Sequence, residues 1–296
     1  MKHLVRFDWA VKRLLRNKAN YGILEGLLSE LLLDDIKIEA ILESESNQNT
    51  GDNKYNRVDL LVKDTKGELI IIEVQSSRVQ DFLMRMLFGT AKLITDNMDI
   101  GMGYNKIKKI ISLNIVYFDL GHGQDYIYHG TTSFVGMHKH DVLQLSAREQ
   151  NVYKQQQIEK LYPEYYIIKV NQFDGLAKNG LDEWIYFFKN DEIKADFKAK
   201  GLDEAKKKLN ILNFNKKELA EYESFIKDWR YENSLVVSNY ESGRADERKE
   251  LETVLQAKDE LITEQGNLIA EKDRINEETR KALEAALKEL EIFRKK

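Results

Sequence analysis

Cysteine is absent from this 296-residue chain, which excludes disulfides and thiolate metal sites and points to a reducing, cytoplasmic compartment. Proline occurs once, at Pro163, so little interrupts long helices, and helix should outweigh strand. No run approaches the roughly 18 apolar residues that a transmembrane helix needs. The stretch Met1 to Asp8 also carries charges where a signal peptide needs an apolar segment. The expectation is a soluble protein with no membrane partner. A basic excess is missing too, since the net charge is −4. A protein held on nucleic acid by overall charge is thereby excluded, and any DNA contact has to be local.

With 42% hydrophobic residues, the chain can bury one sizeable core and still carry an appendage. Periodicity divides it into a domain over residues 1–240, with a core to about 135 and an extension over 136–240, and a charged tail over 241–296. Apolar spacing predicts helices over 7–18 and 21–33, the second capped by Asn20. Alternation predicts a strand over 36–42, and the polar tract Ser44 to Asn56 reads as a loop. Two further strands, 57–63 and 68–75, flank the turn Asp64-Thr65-Lys66-Gly67. A helix over 80–97 follows, then strands at 109–119, 126–128 and 165–170, and helices over 181–189, 203–209 and 215–231.

From Gly243 onward, Glu, Lys, Asp, Arg, Leu and Ala dominate, which predicts a long helix. Leu255, Ile262, Ile269, Asn276, Leu283 and Leu290 recur every seven residues, a coiled-coil signal. Lys258, Gln265, Lys272 and Thr279 make the facing seam polar, so the expected self-association is weak or conditional.

The chemistry lies in two acidic residues set inside apolar runs, Asp59 in Arg57-Val58-Asp59-Leu60-Leu61-Val62 and Glu73 in Leu69-Ile70-Ile71-Ile72-Glu73-Val74-Gln75. A buried carboxylate needs a cation, a proton or several donors to offset its desolvation. Period-two alternation puts Leu69, Ile71, Glu73 and Gln75 on one face of the strand. The tight turn lets Asp59 come beside Glu73 if the register allows. Two carboxylates and the Val74 carbonyl would form a hard oxygen site suited to Mg²⁺. Met137-His138-Lys139-His140 lacks further ligands at a metal spacing and is assigned no role, while Lys206-Lys207-Lys208 and Lys106-x-Lys108-Lys109 read as solvated faces with DNA-backbone contact left open.

Asp59, a hairpin and Glu73-x-Gln75, preceded by helices, resemble the PD-(D/E)XK nuclease superfamily, and within it the recombination-promoting nuclease and transposase branch. Asn17-Lys18-Ala19-Asn20, Leu27 to Leu32, Arg85, the strand before Asp119, Trp184-Ile185-Tyr186-Phe187-Phe188 and Gly243-Arg244-Ala245 carry the resemblance across most of the chain. It implies an α/β (α+β) fold: a restriction-endonuclease-like mixed sheet flanked by helices, with a long coiled-coil-like C-terminal helix. It further implies a metal-dependent DNA endonuclease using Mg²⁺, for which Mn²⁺ can substitute, with Asp59, Glu73 and Val74 as ligands. Val58 replaces the proline of the superfamily name and Gln75 its lysine. A glutamine can orient water but cannot act as its base.

Glu25, with Glu30 as its competitor, is the candidate acidic residue from the second helix. Arg78 and Arg85, on one helix face, and Lys63 are candidate phosphate contacts, and a local pair of Arg85 with Asp81 is the alternative for Arg85. The competing function is a catalytically weak DNA-binding or oligomeric interaction protein with a vestigial site, in which the terminal helix is the working element.

Overall fold

The tetrapeptide Asp64-Thr65-Lys66-Gly67 sets the register on which the rest of the sheet depends. Asp64 Oδ1 accepts from Lys66 N at 3.0 Å and Glu68 N at 2.8 Å, and Gly67 takes φ +85°, a conformation that favours glycine. This turn joins β2 (Leu60–Asp64) to β3 (Leu69–Gln75), with Lys63 opposite Leu69 and Leu60 opposite Ile72. The computed structural model describes residues 4–42 and 59–294. The expected loop Ser44 to Asn56 and the strand residues Arg57 and Val58 lie outside the described residues.

One six-stranded mixed sheet forms, in the order β1-β2-β3-β4-β6-β5, with β1 (Ile38–Leu42), β4 (Ile110–Val116), β5 (Ile127–Gly130) and β6 (Glu164–Lys169). The hairpin side is antiparallel, β3, β4 and β6 run parallel, and β5 returns antiparallel to β6. Central β4 is buried at every position, as a parallel strand covered on both faces must be. Leu61, Leu69, Ile71 and Ile110 meet Leu93 and Ile94 of α3 (Phe82–Asp96) on one face. Leu60, Val62, Ile70, Ile72 and Val74 join the larger core on the other. That core takes in α1 (Phe7–Arg13), α2 (Tyr21–Leu32), α5 (Gly180–Asn190) and α6 (Leu202–Lys208). Phe7 packs against Trp184, Phe187 and Phe188 with ring centroids 4.3–6.3 Å apart.

The sheet and flanking helices expected from the sequence are present, with corrected limits. The first helix stops at Arg13 rather than Lys18 because Asn17 accepts from Ala19 N and starts a separate short turn. Asn20 does not cap α2: its amide donates to Leu14 O at 2.8 Å. A short helix, α4 (Ala147–Tyr153), forms on a Ser146–Glu149 capping box that the apolar pattern had not marked. The helices expected over 215–231 and from 243 are one, α7 (Lys216–Arg294). No proline divides them, and a single interior glycine such as Gly243 costs only about 1 kcal/mol. Contacts separate the chain into two compact units, residues 1–226 and 227–296.

At Gly26 the backbone of α2 meets the backbone of the segment just before α6. A Cβ there would come within 2.1 Å of the Lys200 carbonyl oxygen and 2.6 Å of Gly201 Cα. Backbone cannot swing aside as a side chain can, so Gly26→Ala is expected to destabilise the protein by about 3 kcal/mol. The urea midpoint checks this, and an unchanged midpoint would mean that α2 and the Lys200–Gly201 segment are not locked here.

A buried ion cluster sits where β6 begins. Glu164 accepts from Lys109 Nζ at 2.9 Å, Lys160 Nζ at 3.1 Å and Tyr166 OH at 3.2 Å, and pairs with His129 Nε2 at 3.1 Å. Burial alone would push the Glu164 carboxyl up, but its cations and hydrogen bonds hold it down at about 2.

Candidate active site

Continuing the hairpin register one residue beyond Leu60 and Ile72 brings Asp59 opposite Glu73. The backbone ties them together: Asp59 N donates to Glu73 Oε2 at 3.2 Å, and Val74 N donates to Asp59 Oδ2 at 2.8 Å. Leu69 N donates to Lys109 O and Tyr117 N donates to Gln75 O, so the odd-numbered peptides of β3 face β4. The Val74 peptide therefore faces the β2 side, and the N–H and C=O of one strand residue point the same way. Its carbonyl shares the Asp59 edge.

The remaining carboxylate oxygens face cations from two helices. Lys12 Nζ of α1 lies 3.4 Å from Asp59 Oδ1, and Arg85 Nη2 of α3 lies 4.0 Å from Glu73 Oε1. Arg16, just past α1, donates from Nη2 to Asp59 O at 2.7 Å. Burial nevertheless dominates both carboxyls. It pushes Asp59 above the ordinary range, against the charge of Lys12 and the Val74 hydrogen bond. Burial, then the charge of Asp59, drives Glu73 up to about 7.

Two adjoining carboxyls held toward their neutral forms call for more positive charge than Lys12 and Arg85 provide. Their oxygens and the Val74 carbonyl are hard donors, so the residues present fit a divalent cation. Among the described residues, no group of three or more His, Cys, Asp or Glu is arranged to hold a metal.

A family model described as "PD-(D/E)XK nuclease family transposase" matches residues 5–238. The chain belongs to this family. No curated protein and no solved structure matches the chain. PD-(D/E)XK nucleases generally use divalent metals, which agrees with the oxygen donors assembled here. In this PD-(D/E)XK chain, Gln75 ends β3 two residues after Glu73. Its Nε2 donates to Ser77 O at 3.2 Å, which leaves Oε1 as the end able to accept from water. No helix among the described residues is long and apolar enough to cross a membrane.

The other sequence candidates fall elsewhere. Glu25 accepts from Ile38 N at 2.9 Å and pairs with Lys37 at 3.3 Å, so it pins the start of β1. Ile38 pairs with Asp64, the end of β2 away from Asp59, roughly 16 Å along at the rise of a strand. The structure therefore does not bring Glu25 to the carboxylate pair. Glu30 accepts from Lys200 N at 2.9 Å and holds the loop before α6. Lys63 pairs across the sheet with Glu39 at 2.8 Å. Arg78 is exposed in the segment before α3, so it does not share a helix face with Arg85 as the spacing suggested.

Sequence reading missed Lys12, Arg16 and Asp8 of this family member's site. Asp8 accepts from Ser76 Oγ at 2.7 Å and Trp9 N at 2.9 Å, and pairs with Arg6 at 3.1 Å, tying α1 to the residue after Gln75. Lys12 and Arg16 did leave a signal. Both stand in the basic run Lys12-Arg13 to Arg16 that closes the first apolar stripe, but nothing in their spacing says which acidic group they meet.

Proposed function

We propose that the protein is a Mg²⁺-dependent DNA endonuclease, with Mn²⁺ an acceptable substitute. The observation that carries this reading is the opposed register of Asp59 and Glu73, each with one oxygen fixed by backbone N–H and the other turned toward a cation. Asp59, Glu73 and the Val74 carbonyl would hold the metal. A divalent cation there supplies a Lewis acid for the scissile phosphate and lowers the pKa of an attacking water. Gln75 Oε1 accepts a hydrogen bond from that water and aligns its oxygen with phosphorus. As the new P–O bond forms, one P–O bond of the phosphodiester breaks, the proton of the attacking water passes to solvent and the leaving oxygen takes a proton from solvent. Arg85 and Arg16 face the extra negative charge that builds on the phosphoryl oxygens.

Plasmid nicking by purified protein tests this, in Mg²⁺ and in EDTA, beside Asp59→Ala with its fold checked by circular dichroism. Wild type is expected to cut only with Mg²⁺, and Asp59→Ala to lose that activity. Equal nicking under all conditions would return the acidic pair to a purely structural role.

The same reading includes self-association through α7. Leu255, Leu261, Ile262, Leu268 and Ile269 are each more than half exposed on this helix, and their seven-residue recurrence suits a helical partner. Deleting residues from Gly243 onward is expected to leave the 1–226 unit folded and to bring the light-scattering mass from a multiple of the chain mass down to that of one truncated chain. A full chain that already scatters as a single chain would exclude the association.

A further inference from the structure

Asp59 Oδ2 is taken by the Val74 N–H, so Oδ1 is the oxygen left to receive a cation, and Lys12 Nζ already lies 3.4 Å from it. An ammonium and a divalent cation repel at contact distance and compete for that one oxygen. Lys12 is able to yield. Its side chain is 45% exposed, on a flexible stem with no rigid fork to anchor it. Arg16 differs, because it is held by the Asp59 backbone carbonyl rather than by the carboxylate. A cation held at Oδ1 would therefore displace Lys12 and leave Arg16 in place.

The displaced ammonium remains on α1 beside the site, where Gln75 has left β3 without a cation of its own. We propose that Lys12 is a metal-gated phosphate contact: it pairs with Asp59 until a divalent cation takes the carboxylates, and then transfers to a phosphate of the bound nucleic acid. The proposal rests on the metal-site reading above and adds a switch in the partner of Lys12.

The test uses the full chain, Lys12→Met, Lys12→Arg and Asp59→Asn, with a phosphorothioate-substituted DNA duplex that resists cleavage. Calorimetric titration with Mn²⁺ is expected to show Lys12→Met binding roughly two- to fivefold more tightly than wild type, the size of a lost exposed ion-pair competitor. Lys12→Arg should restore the wild-type affinity. In Mg²⁺, the salt dependence of DNA affinity should lose about one unit of slope in Lys12→Met, as for one lost phosphate contact. In EDTA, wild type and Lys12→Met should give the same slope.

Mn²⁺ affinity unchanged or weakened by Lys12→Met would overturn the exchange. So would a slope reduced equally with and without Mg²⁺, which marks a permanent contact, or a slope unchanged in both. If wild type and Asp59→Asn bind Mn²⁺ alike, or neither binds, the metal-site reading itself has failed and the proposal falls with it. Failure confined to the Lys12 variants, with Asp59→Asn inactive in Mn²⁺ binding, overturns the exchange alone.

Discussion

Glu73→Gln should abolish metal-dependent cleavage and, in the same molecule, raise stability at alkaline pH. A glutamine keeps the oxygen that accepts from Asp59 N but contributes no charge to a divalent cation. A cation that supplies several kcal/mol to the transition state is then held poorly, and the rate should fall by at least about 100-fold. Stability moves the other way. The folded carboxyl of Glu73 titrates at about 7, above its unfolded value near 4.3. Between those values the folded state binds the extra proton, so the folded state is favoured at low pH, and this advantage is lost as pH rises through 7. Above that, wild type carries a buried charge beside Asp59, and the variant does not. Glu73→Gln should therefore be more stable than wild type by about 1–3 kcal/mol at pH 8. The gap should narrow as pH falls and close near pH 4, below the unfolded value. Urea unfolding at the two pH values without added metal measures it, and a variant less stable at pH 8 would contradict the burial of this carboxylate. Mg²⁺ should raise the Tm of wild type and leave that of Glu73→Gln unmoved.

Glu164→Ala should be the most destabilising of the polar substitutions. The side chain of Lys109 is only 7% exposed, and its Nζ lies 2.9 Å from the Glu164 carboxylate. Removing the acid leaves a buried ammonium that donates to the Glu159 and Tyr162 carbonyls but has lost the carboxylate it contacts. Breaking a buried pair from one side costs about 3–5 kcal/mol. The pH dependence has the opposite sign to that of Glu73. A folded carboxyl held at about 2 stabilises fully above the unfolded value near 4.3 and stops doing so as pH falls through 2. Wild type should consequently lose stability more steeply than Glu164→Ala between pH 4.5 and 2, and parallel acid-unfolding curves would contradict the cluster. Glu164 pairs with Ile111 at the start of the parallel strands, whereas Gln75 pairs with Val116 at their end. Cleavage by the folded variant should therefore match wild type.

What the sequence discloses about this site is what short-range geometry determines. Asp59 and Glu73 are joined by a turn whose residues announce it, and strand alternation then leaves little choice of face. The buried β4 and the aromatic stripe of α5 are legible for the same reason, since period and composition act within one element. Contacts between elements far apart in sequence are not written in any period. Glu25 and Lys12 both lie on opening helices, and only the packing of those helices decides which one meets the carboxylates. The end of α1 meets Asp59, while α2 delivers Glu25 to the opposite end of β2. Arg78 failed through a boundary of a few residues: the helix begins at Phe82, so a seven-residue spacing from Arg85 no longer means a shared face. The continuity of α7 was hidden by Gly243, which weakens a helix without ending it.

The turn at Asp64 to Gly67 has a consequence for how this chain tolerates change. Side chains alternate with a period of two, so inserting or deleting one residue between Asp59 and Glu73 would turn one carboxylate to the far side of the sheet while leaving the apolar composition intact. Such a chain would keep its hydrophobic content and lose the opposition of its two carboxylates. The fourteen-residue separation of Asp59 and Glu73 is therefore a measured length, and substitutions within it are far safer than any change in its count.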